Sequence, residues 1–194
     1  MFGASVEFFF QPPGSGPLKA DYLTGEDIPG LSVRSLSDPA SQAITTDAGA
    51  IGYPDHLSKM LNYVLIVTGG TSTNPTAVTI APVAFSNGNS VFFFNSGPDS
   101  GGVHYNSSLV SHSFYLAIEG GRNATSGLSV TGVGARNRAQ IEKVYFRAIT
   151  RLMPNNASFT TAAAVVIQAA VDLYGANSAV TEAVTQAMTA VGLR

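Results

Sequence analysis

Residues 99–108 of the sequence, DSGGVHYNSS, place Asp99, two glycines and His104 within six positions. The glycines let the backbone turn tightly enough for the carboxylate to reach one nitrogen of the imidazole. Such a contact would fix the tautomer of the ring and leave its other nitrogen facing a substrate. A polar turn ahead of a helix, capped by Asn106 or Ser107, accounts for the same residues and is the commoner use of such a sequence.

The composition excludes several classes of function. The chain has 194 residues, a net charge of −2 and 11% charged residues, so no electrostatic argument favours nucleic acid or an anionic membrane. Because it has no cysteine, it can have no disulfide framework, thiolate nucleophile or cysteine-ligated zinc. The apolar runs are shorter than the ~20 residues that span a bilayer, and MFGASVEFFF lacks the basic leading segment of a signal peptide. We expect no nucleic-acid or membrane partner.

The elements that would position these residues fall into three zones. Residues 1–59 hold a short apolar segment and Pro/Gly-rich loops that carry acids. Residues 60–97 contain β-branched and aromatic runs, NYVLIVTGG, TAVTIAPVAF and NSVFFFNSG, which predict short strands or an irregular insertion. Residues 98–194 show helical periodicity. The sequence therefore predicts one mainly α domain that ends in a helical bundle.

Four helices are predicted in the last zone. The first, SSLVSHSFYLAIEGG, ends at a glycine pair, and the third begins at Ser158 as N-cap and ends at Gly175. The second, ARNRAQIEKVYFRAITRLMP, stops before Pro154, and the fourth is SAVTEAVTQAMTAVG. The second and fourth each place six apolar residues on one face, respectively Ile141, Val144, Tyr145, Ala148, Ile149 and Leu152, and Val180, Ala183, Val184, Ala187, Met188 and Val191. Their many alanines predict close helix–helix contact.

A family resemblance emerges when these motifs are taken in order. The segments SGGVHYNSSLVSHSFYLAIEGG, VTGVGARNRAQIEKVYFRAITRLMPNNASFTTAAAVVIQAAVDLYG and AVTQAMTAVGL resemble the C-terminal domain of the thermolysin-like zinc metallopeptidases. FGASVEFF, TGEDI, VRSLSDP and YPDHLSK occur upstream in that family's order. The resemblance covers nearly the whole chain except about 60–97. It implies the C-terminal helical-bundle lobe of the thermolysin-like fold, with 60–97 as an insertion.

The resemblance also assigns roles to three residues. His104 would hydrogen-bond the oxyanion of the tetrahedral intermediate of peptide-bond hydrolysis, and Asp99 would orient its ring. Arg34 would bind the substrate carbonyl just beyond the scissile bond. Donors aimed at developing negative charge are commonly worth ~3–4 kcal/mol each. From spacing alone, a loop salt bridge to Asp38 is the simpler use of Arg34.

The zinc site of that family is absent from the sequence. Such enzymes hold zinc with a HExxH helix and a further glutamate, but HExxH does not occur in these 194 residues, and His56, His104 and His112 have no i, i+4 spacing. We therefore expect the chain to be a piece of a secreted zinc metalloendopeptidase that needs an N-terminal zinc-bearing lobe. Alone it should be inactive toward peptide or protein substrates.

An alternative is a stand-alone, non-catalytic binding or structural module derived from the same domain. The DNA upstream of Met1 distinguishes the two hypotheses. An in-frame or frameshifted HExxH segment there supports the piece of an enzyme, whereas a promoter and stop codon support the module.

Calcium is the other metal that the resemblance implies. Its ligands would be Glu7, Asp21 and Glu26, hard oxygen donors of the kind that calcium prefers. Leu23 stands where relatives often carry an acid, and QPPGSGP changes the loop that supplies another ligand, so solvated loop acids remain an equal alternative. Of the other histidines, His56 is predicted to cap a helix or bond within a loop, and His112 to be a satisfied, partly buried helix residue.

Overall fold

The computed structural model describes residues 1–16, 18–27, 33–46, 49–71, 74–84 and 99–194, and the side chains of 44–46, 49, 61–71, 74–84 and 99–101 lie outside that description. Within these residues the protein is mainly helical, as predicted. The α-helices are α1 (Phe2–Phe10), α2 (Asp99–Asn106), α3 (Ser108–Glu119), α4 (Arg138–Arg147), α5 (Phe159–Tyr174) and α6 (Ala179–Ala190). None of the described helices is both long enough and apolar enough to cross a membrane.

The strands form two-stranded antiparallel pairs. They are β1 (Leu23–Thr24) with β2 (Arg34–Ser35), β3 (Ala43–Thr46) with β4 (Gly49–Gly52), β5 (Leu61–Thr71) with β6 (Asn74–Ala84), and β7 (Gly121–Arg122) with β8 (Ser129–Val130). The long β5–β6 hairpin confirms the two strands predicted at NYVLIVTGG and TAVTIAPVAF. The predicted strand at NSVFFFNSG lies outside the described residues.

The helix boundaries follow local signals. The Ser158 hydroxyl accepts a hydrogen bond from the Thr161 amide and so caps α5. The glycines that end α3 and α5, Gly120 and Gly175, have φ of 74° and 88°, values that favour glycine. Both helix ends were predicted from the sequence and are confirmed.

The core lies among α3, α4, α5 and α6, and the predicted face of α6 is buried along its whole length. Alanines make the close contacts expected of them, with Ala169, Ala170, Ala187 and Ala190 fully buried. α1 joins this core through Ala4.

One residue of the predicted apolar face of α4 is exposed instead of buried. Ile141, Val144, Tyr145 and Ala148 are fully buried, but Ile149 is 41% exposed. The reason is local: the α-helix gives way at Ala148–Leu152 to a π-helical turn, which has more residues per turn and rotates the following side chains away from the predicted face.

α3 carries two buried polar contacts that fix its position. The imidazole Nδ1–H of His112 donates to the carbonyl oxygen of Leu36 at 2.8 Å. The hydroxyl of Ser113 donates to the carbonyl of Val110 at 2.8 Å and lies 2.9 Å from the Tyr145 hydroxyl. Because Ser113 uses its proton on Val110, the Tyr145 hydroxyl is the donor of the second bond. His112 is thus the satisfied core histidine that the sequence predicted.

The Ser113–Tyr145 pair predicts an asymmetry between two variants. Ser113→Ala leaves the fully buried Tyr145 hydroxyl without its acceptor, so we expect the free energy of unfolding to fall by about 1–3 kcal/mol. Tyr145→Phe leaves Ser113 bonded to Val110 and should cost less, about 0.5–1.5 kcal/mol. Urea unfolding of the two variants measures the difference. A larger loss in Tyr145→Phe would contradict the assigned direction of the bond.

His112 predicts a pH dependence of stability. Burial lowers its pKa below the usual 6.5, more strongly than the bond to Leu36 and the charges of Asp55 and Asp38 raise it. The unfolded chain therefore binds a proton at this histidine at a higher pH than the folded protein does. The free energy of unfolding falls as the pH drops from about 6.5 through the lowered pKa of the folded protein.

His112→Asn retains an N–H donor for Leu36 but does not titrate. We expect the stability difference between wild type and this variant to change between about pH 7.5 and pH 5, with the wild type losing more on acidification. Denaturant unfolding at a series of pH values measures it, and a difference that stays constant over that range contradicts the prediction.

Candidate functional site

His104 lies in the last turn of α2 and its side chain is exposed. Gly102, two positions before it, is buried and has φ of 84°, so the backbone that leads into His104 takes a conformation that favours glycine. This explains one of the two glycines that the sequence places before the histidine. The side chain of Asp99, at the start of α2, lies outside the described side chains, and its pairing with His104 stays a prediction.

Arg34 lies on β2 and is half-buried. Its Nη1 donates to the hydroxyl oxygen of Ser107 at 3.2 Å, and the Ser107 hydroxyl donates to the carbonyl oxygen of His104 at 2.7 Å. Residues 34 and 104, which are 70 positions apart in the chain, are thereby joined through one hydroxyl group. Among the described ion pairs, none connects Arg34 to Asp38.

Two tyrosines extend this contact. The Tyr53 ring lies 5.9 Å from Cζ of Arg34, within cation–π range, and 5.2 Å from the ring of Tyr105. Tyr105 directly follows His104, so these two ring contacts also connect Arg34 to the turn that carries His104. Sequence reasoning missed Ser107, Tyr53 and Tyr105 as parts of the site, because no spacing rule connects residues so far apart in the chain.

The site therefore brings a half-buried guanidinium on β2 next to the backbone of the turn on α2 that carries an exposed imidazole. The guanidinium is a permanent cation with five N–H donors, and imidazole donates from a protonated nitrogen. Both groups can donate hydrogen bonds to oxygen atoms of a ligand.

The other two histidines are used elsewhere. Nδ1 of His56 accepts the Ser58 amide at 3.1 Å and so caps the short 3₁₀-helix Leu57–Lys59. His112 is bonded within the core as described above. Both predictions for these residues are confirmed, and His104 is the histidine whose side chain is exposed and whose backbone is connected to Arg34 through Ser107.

Glu7, Asp21 and Glu26, the calcium ligands that the resemblance implies, lie close together. One carboxylate oxygen from each lies within 4.8 Å of the others, which places three hard donors around one point. Among the described residues, this is the group of three or more acids or histidines close enough to hold a metal ion.

The electrostatics of this carboxylate cluster are unfavourable without a cation. Burial raises the pKa of Glu7 above its usual value, and the neighbouring charges of Glu26, Asp21 and Asp27 raise it further. Oε2 of Glu7 and Oε2 of Glu26 are both buried and have no hydrogen-bond partner in the described part of the chain. Calcium takes ~6–8 oxygens and would satisfy both atoms, so this donor set fits it.

The position of Leu23 affects only part of this donor set. Its amide donates to Oδ1 of Asp21 at 2.6 Å, so one oxygen of that carboxylate is already bonded to the backbone of its own loop. The apolar side chain adds no ligand where relatives often carry an acid. A cation here would therefore rely on Glu7, Glu26, the other Asp21 oxygen and water.

A polar and aromatic network holds the cluster in place. Arg138 lies over the ring of Phe8 with Cζ 3.3 Å from its centre, and its Nη2 donates to the Tyr22 hydroxyl at 3.2 Å. Tyr22 in turn donates to Oε1 of Glu119 at 2.6 Å, and this bond together with burial raises the pKa of the phenol. Phe8 follows Glu7 and Tyr22 follows Asp21, so the network fixes the backbone next to two of the three acids. No spacing pattern in the sequence indicates this network.

Comparison with known proteins identifies the family of the chain. The family described as "Thermolysin metallopeptidase, alpha-helical domain" matches residues 1–193. Relatives include bacillolysin of Bacillus cereus, 33% identical, thermolysin of Alicyclobacillus acidocaldarius subsp. acidocaldarius, 32% identical, and neutral protease NprT of Geobacillus stearothermophilus, 31% identical. Each match covers 100% of this chain but only 26–27% of the relative. The chain thus spans about a quarter of the length of these relatives. It belongs to the thermolysin metallopeptidase family and corresponds to the alpha-helical domain of that family.

Proposed function

We propose that this chain forms one wall of the substrate cleft of a secreted zinc metalloendopeptidase and supplies the groups that bind the peptide and its oxyanion. The observation that carries the proposal is the bonded contact between Arg34 and the turn of His104. By the resemblance these two residues would contact neighbouring groups of one substrate, and the Ser107 hydroxyl bonds both the Arg34 guanidinium and the backbone carbonyl of His104, which supports the proposal.

The roles follow from the charge that develops during hydrolysis. When the scissile carbonyl becomes tetrahedral, its oxygen gains negative charge, and an N–H of His104 donates to it. Arg34 donates to the carbonyl of the next peptide unit and so fixes the register of the substrate before reaction. Asp99 would orient the imidazole so that the donating nitrogen faces the cleft. By the family resemblance, the residue after the scissile bond is apolar.

The residues of this chain do not fit the zinc of the family. His56 and His112 are committed to Ser58 and Leu36, and the group of three or more potential ligands found among the described residues, Glu7, Asp21 and Glu26, contains no histidine. Zinc ligands and the general base therefore have to come from another segment, and we propose an N-terminal lobe like the three quarters of the relatives that lie outside the match.

This division of labour predicts the effect of removing His104. In the protein that contains the zinc-bearing lobe, His104→Ala should lower kcat/KM roughly 100- to 1000-fold, because one donor to the oxyanion is lost. His56→Ala, which removes an imidazole that caps a short helix and makes no described contact with Arg34 or His104, is the matched control and should stay within about threefold of wild type. Hydrolysis of a furylacryloyl dipeptide measures both.

Two results would contradict the proposal. One is near-normal turnover of His104→Ala in the protein with the zinc-bearing lobe. The other is zinc-dependent, chelator-sensitive cleavage of casein by the 194-residue chain alone.

We further propose that Glu7, Asp21 and Glu26 bind calcium. Support comes from the two buried carboxylate oxygens without partners and from the mutual repulsion of the three acids. The ion would neutralise the cluster and fix the loop between Asp21 and Glu26 against α1. Its role would be structural, since none of the three acids is bonded to Arg34 or His104 among the described contacts.

Calcium should therefore stabilise the fold. At a calcium concentration about a hundredfold above the dissociation constant, binding contributes about 2.7 kcal/mol, which raises Tm by about 5–10 °C for a chain of this length. Glu7→Gln should raise Tm in the presence of a chelator, because it removes the repulsion, and should abolish most of the shift caused by calcium.

Glu142→Gln makes the same chemical change on α4, away from the carboxylate cluster, and should keep the full calcium shift. Thermal unfolding followed by circular dichroism, with chelator and with millimolar calcium, compares the three proteins. An unchanged Tm of the wild type at millimolar calcium would show that the three residues are ordinary loop acids.

A further inference from the structure

We propose that Ser107 is a positioning residue, whose hydroxyl holds the Arg34 guanidinium at a fixed place relative to His104. This inference rests on the proposed function, because it concerns how the two substrate-binding groups are kept in register.

The hydrogen bonds have an unambiguous direction. A carbonyl oxygen can only accept, so the single proton of the Ser107 hydroxyl points to the His104 carbonyl, 2.7 Å away. The lone pairs of the same oxygen accept Nη1–H of Arg34 at 3.2 Å. The hydroxyl thus links the Arg34 guanidinium to the backbone of the turn that carries the His104 imidazole. Each of the two hydrogen bonds strengthens the other by polarisation.

The bond to Arg34 is the long-range contact of this hydroxyl. Ser107 lies between α2 and α3 with helical backbone angles, φ −60° and ψ −17°, and its amide donates to the carbonyl of Val103 while its carbonyl accepts the amide of Ser111. Its side chain makes no cap bond to α3, and its bond to the His104 carbonyl, three positions back, is a local one that serine commonly makes in helices. The contact with Arg34, 73 positions away, adds a tertiary bond to that local one.

The aromatic neighbour cannot replace this contact. The Tyr53 ring, 5.9 Å from the guanidinium carbon, attracts the cation but sets no direction for its N–H groups. A hydrogen bond from Nη1 fixes the orientation of the planar guanidinium. The remaining N–H groups are then already directed when a substrate carbonyl arrives, and no side-chain rotation is needed to bind it. Loss of the hydroxyl should therefore weaken the action of Arg34 and leave His104 in place.

The experiment uses the protein that contains the zinc-bearing lobe, with hydrolysis of a furylacryloyl dipeptide as the readout. Ser107→Ala should lower kcat/KM roughly tenfold, and Ser107→Thr, which keeps the hydroxyl, should recover most of that loss. Ser111→Ala, one turn further along α3, is the control and should match wild type, as its hydroxyl makes no contact with Arg34 or His104 in the described structure. Tm of each variant identifies any general loss of stability.

A double-mutant cycle identifies the residue through which Ser107 acts. With Arg34→Ala already present, Ser107→Ala should change kcat/KM less than about twofold. With His104→Ala present, it should still cost roughly tenfold. An unchanged kcat/KM in Ser107→Ala, or a tenfold loss that persists after Arg34→Ala, would overturn the inference.

A second readout does not depend on enzymatic activity. In the 194-residue chain, NMR signals of the Arg34 guanidinium should show faster rotation and proton exchange in Ser107→Ala than in wild type or Ser111→Ala. Identical guanidinium signals in all three would overturn the inference as well. If the wild-type protein with its zinc-bearing lobe cleaves no peptide, the proposed function fails, and these signals still decide whether the hydroxyl fixes the arginine.

Discussion

The site depends on α3, because this one helix satisfies the buried carbonyl groups of the loops that surround it. His112 donates to Leu36, and the Ser108 hydroxyl donates to the carbonyl of Pro54 at 2.5 Å, in both cases from buried side chains. A buried carbonyl that loses its donor costs about 1–3 kcal/mol, so neither loop can move away from α3 without that penalty. The loops are therefore held by polar contacts and not only by apolar packing.

These two carbonyls are next to the residues that form the site. Leu36 lies two positions after Arg34, and Pro54 directly follows Tyr53. The N-terminal end of α3 adds Ser107, which bonds Arg34 and the carbonyl of His104. Polar contacts thus hold Arg34, the loop of Tyr53 and the backbone of His104 against one helix, and another face of that helix is fixed in the bundle by Ser113 and Tyr145. This arrangement positions Arg34, which is half-buried, and the turn of His104, whose side chain is exposed.

The sequence predicts features that depend on neighbouring residues, but it does not predict contacts between residues far apart in the chain. Helix faces, N-caps and glycine ends come from interactions within a few residues, and these were predicted correctly from Ser158 to Gly175. The exposure of Ile149 was missed because a π-helical turn leaves no mark in the periodicity. Spacing alone raised His104 with Asp99 as one possibility, and the family resemblance added Arg34 and the roles of all three. The contact of Ser107 with Arg34 and that of Arg138 with Tyr22 could not be predicted, since these partners lie 73 and 116 positions apart and only the folded chain brings them together.

The two ends of α3 lie next to the carboxylate cluster and next to Arg34. Glu119, the last residue of α3, accepts the Tyr22 hydroxyl beside Asp21, and Ser107, which precedes its first residue, bonds Arg34. β1 lies between Asp21 and Glu26 and pairs with β2, so that Thr24 is opposite Arg34. A structural ion at the acids would hold β1 in place, and it would therefore act on the guanidinium through one strand pair without contact between them.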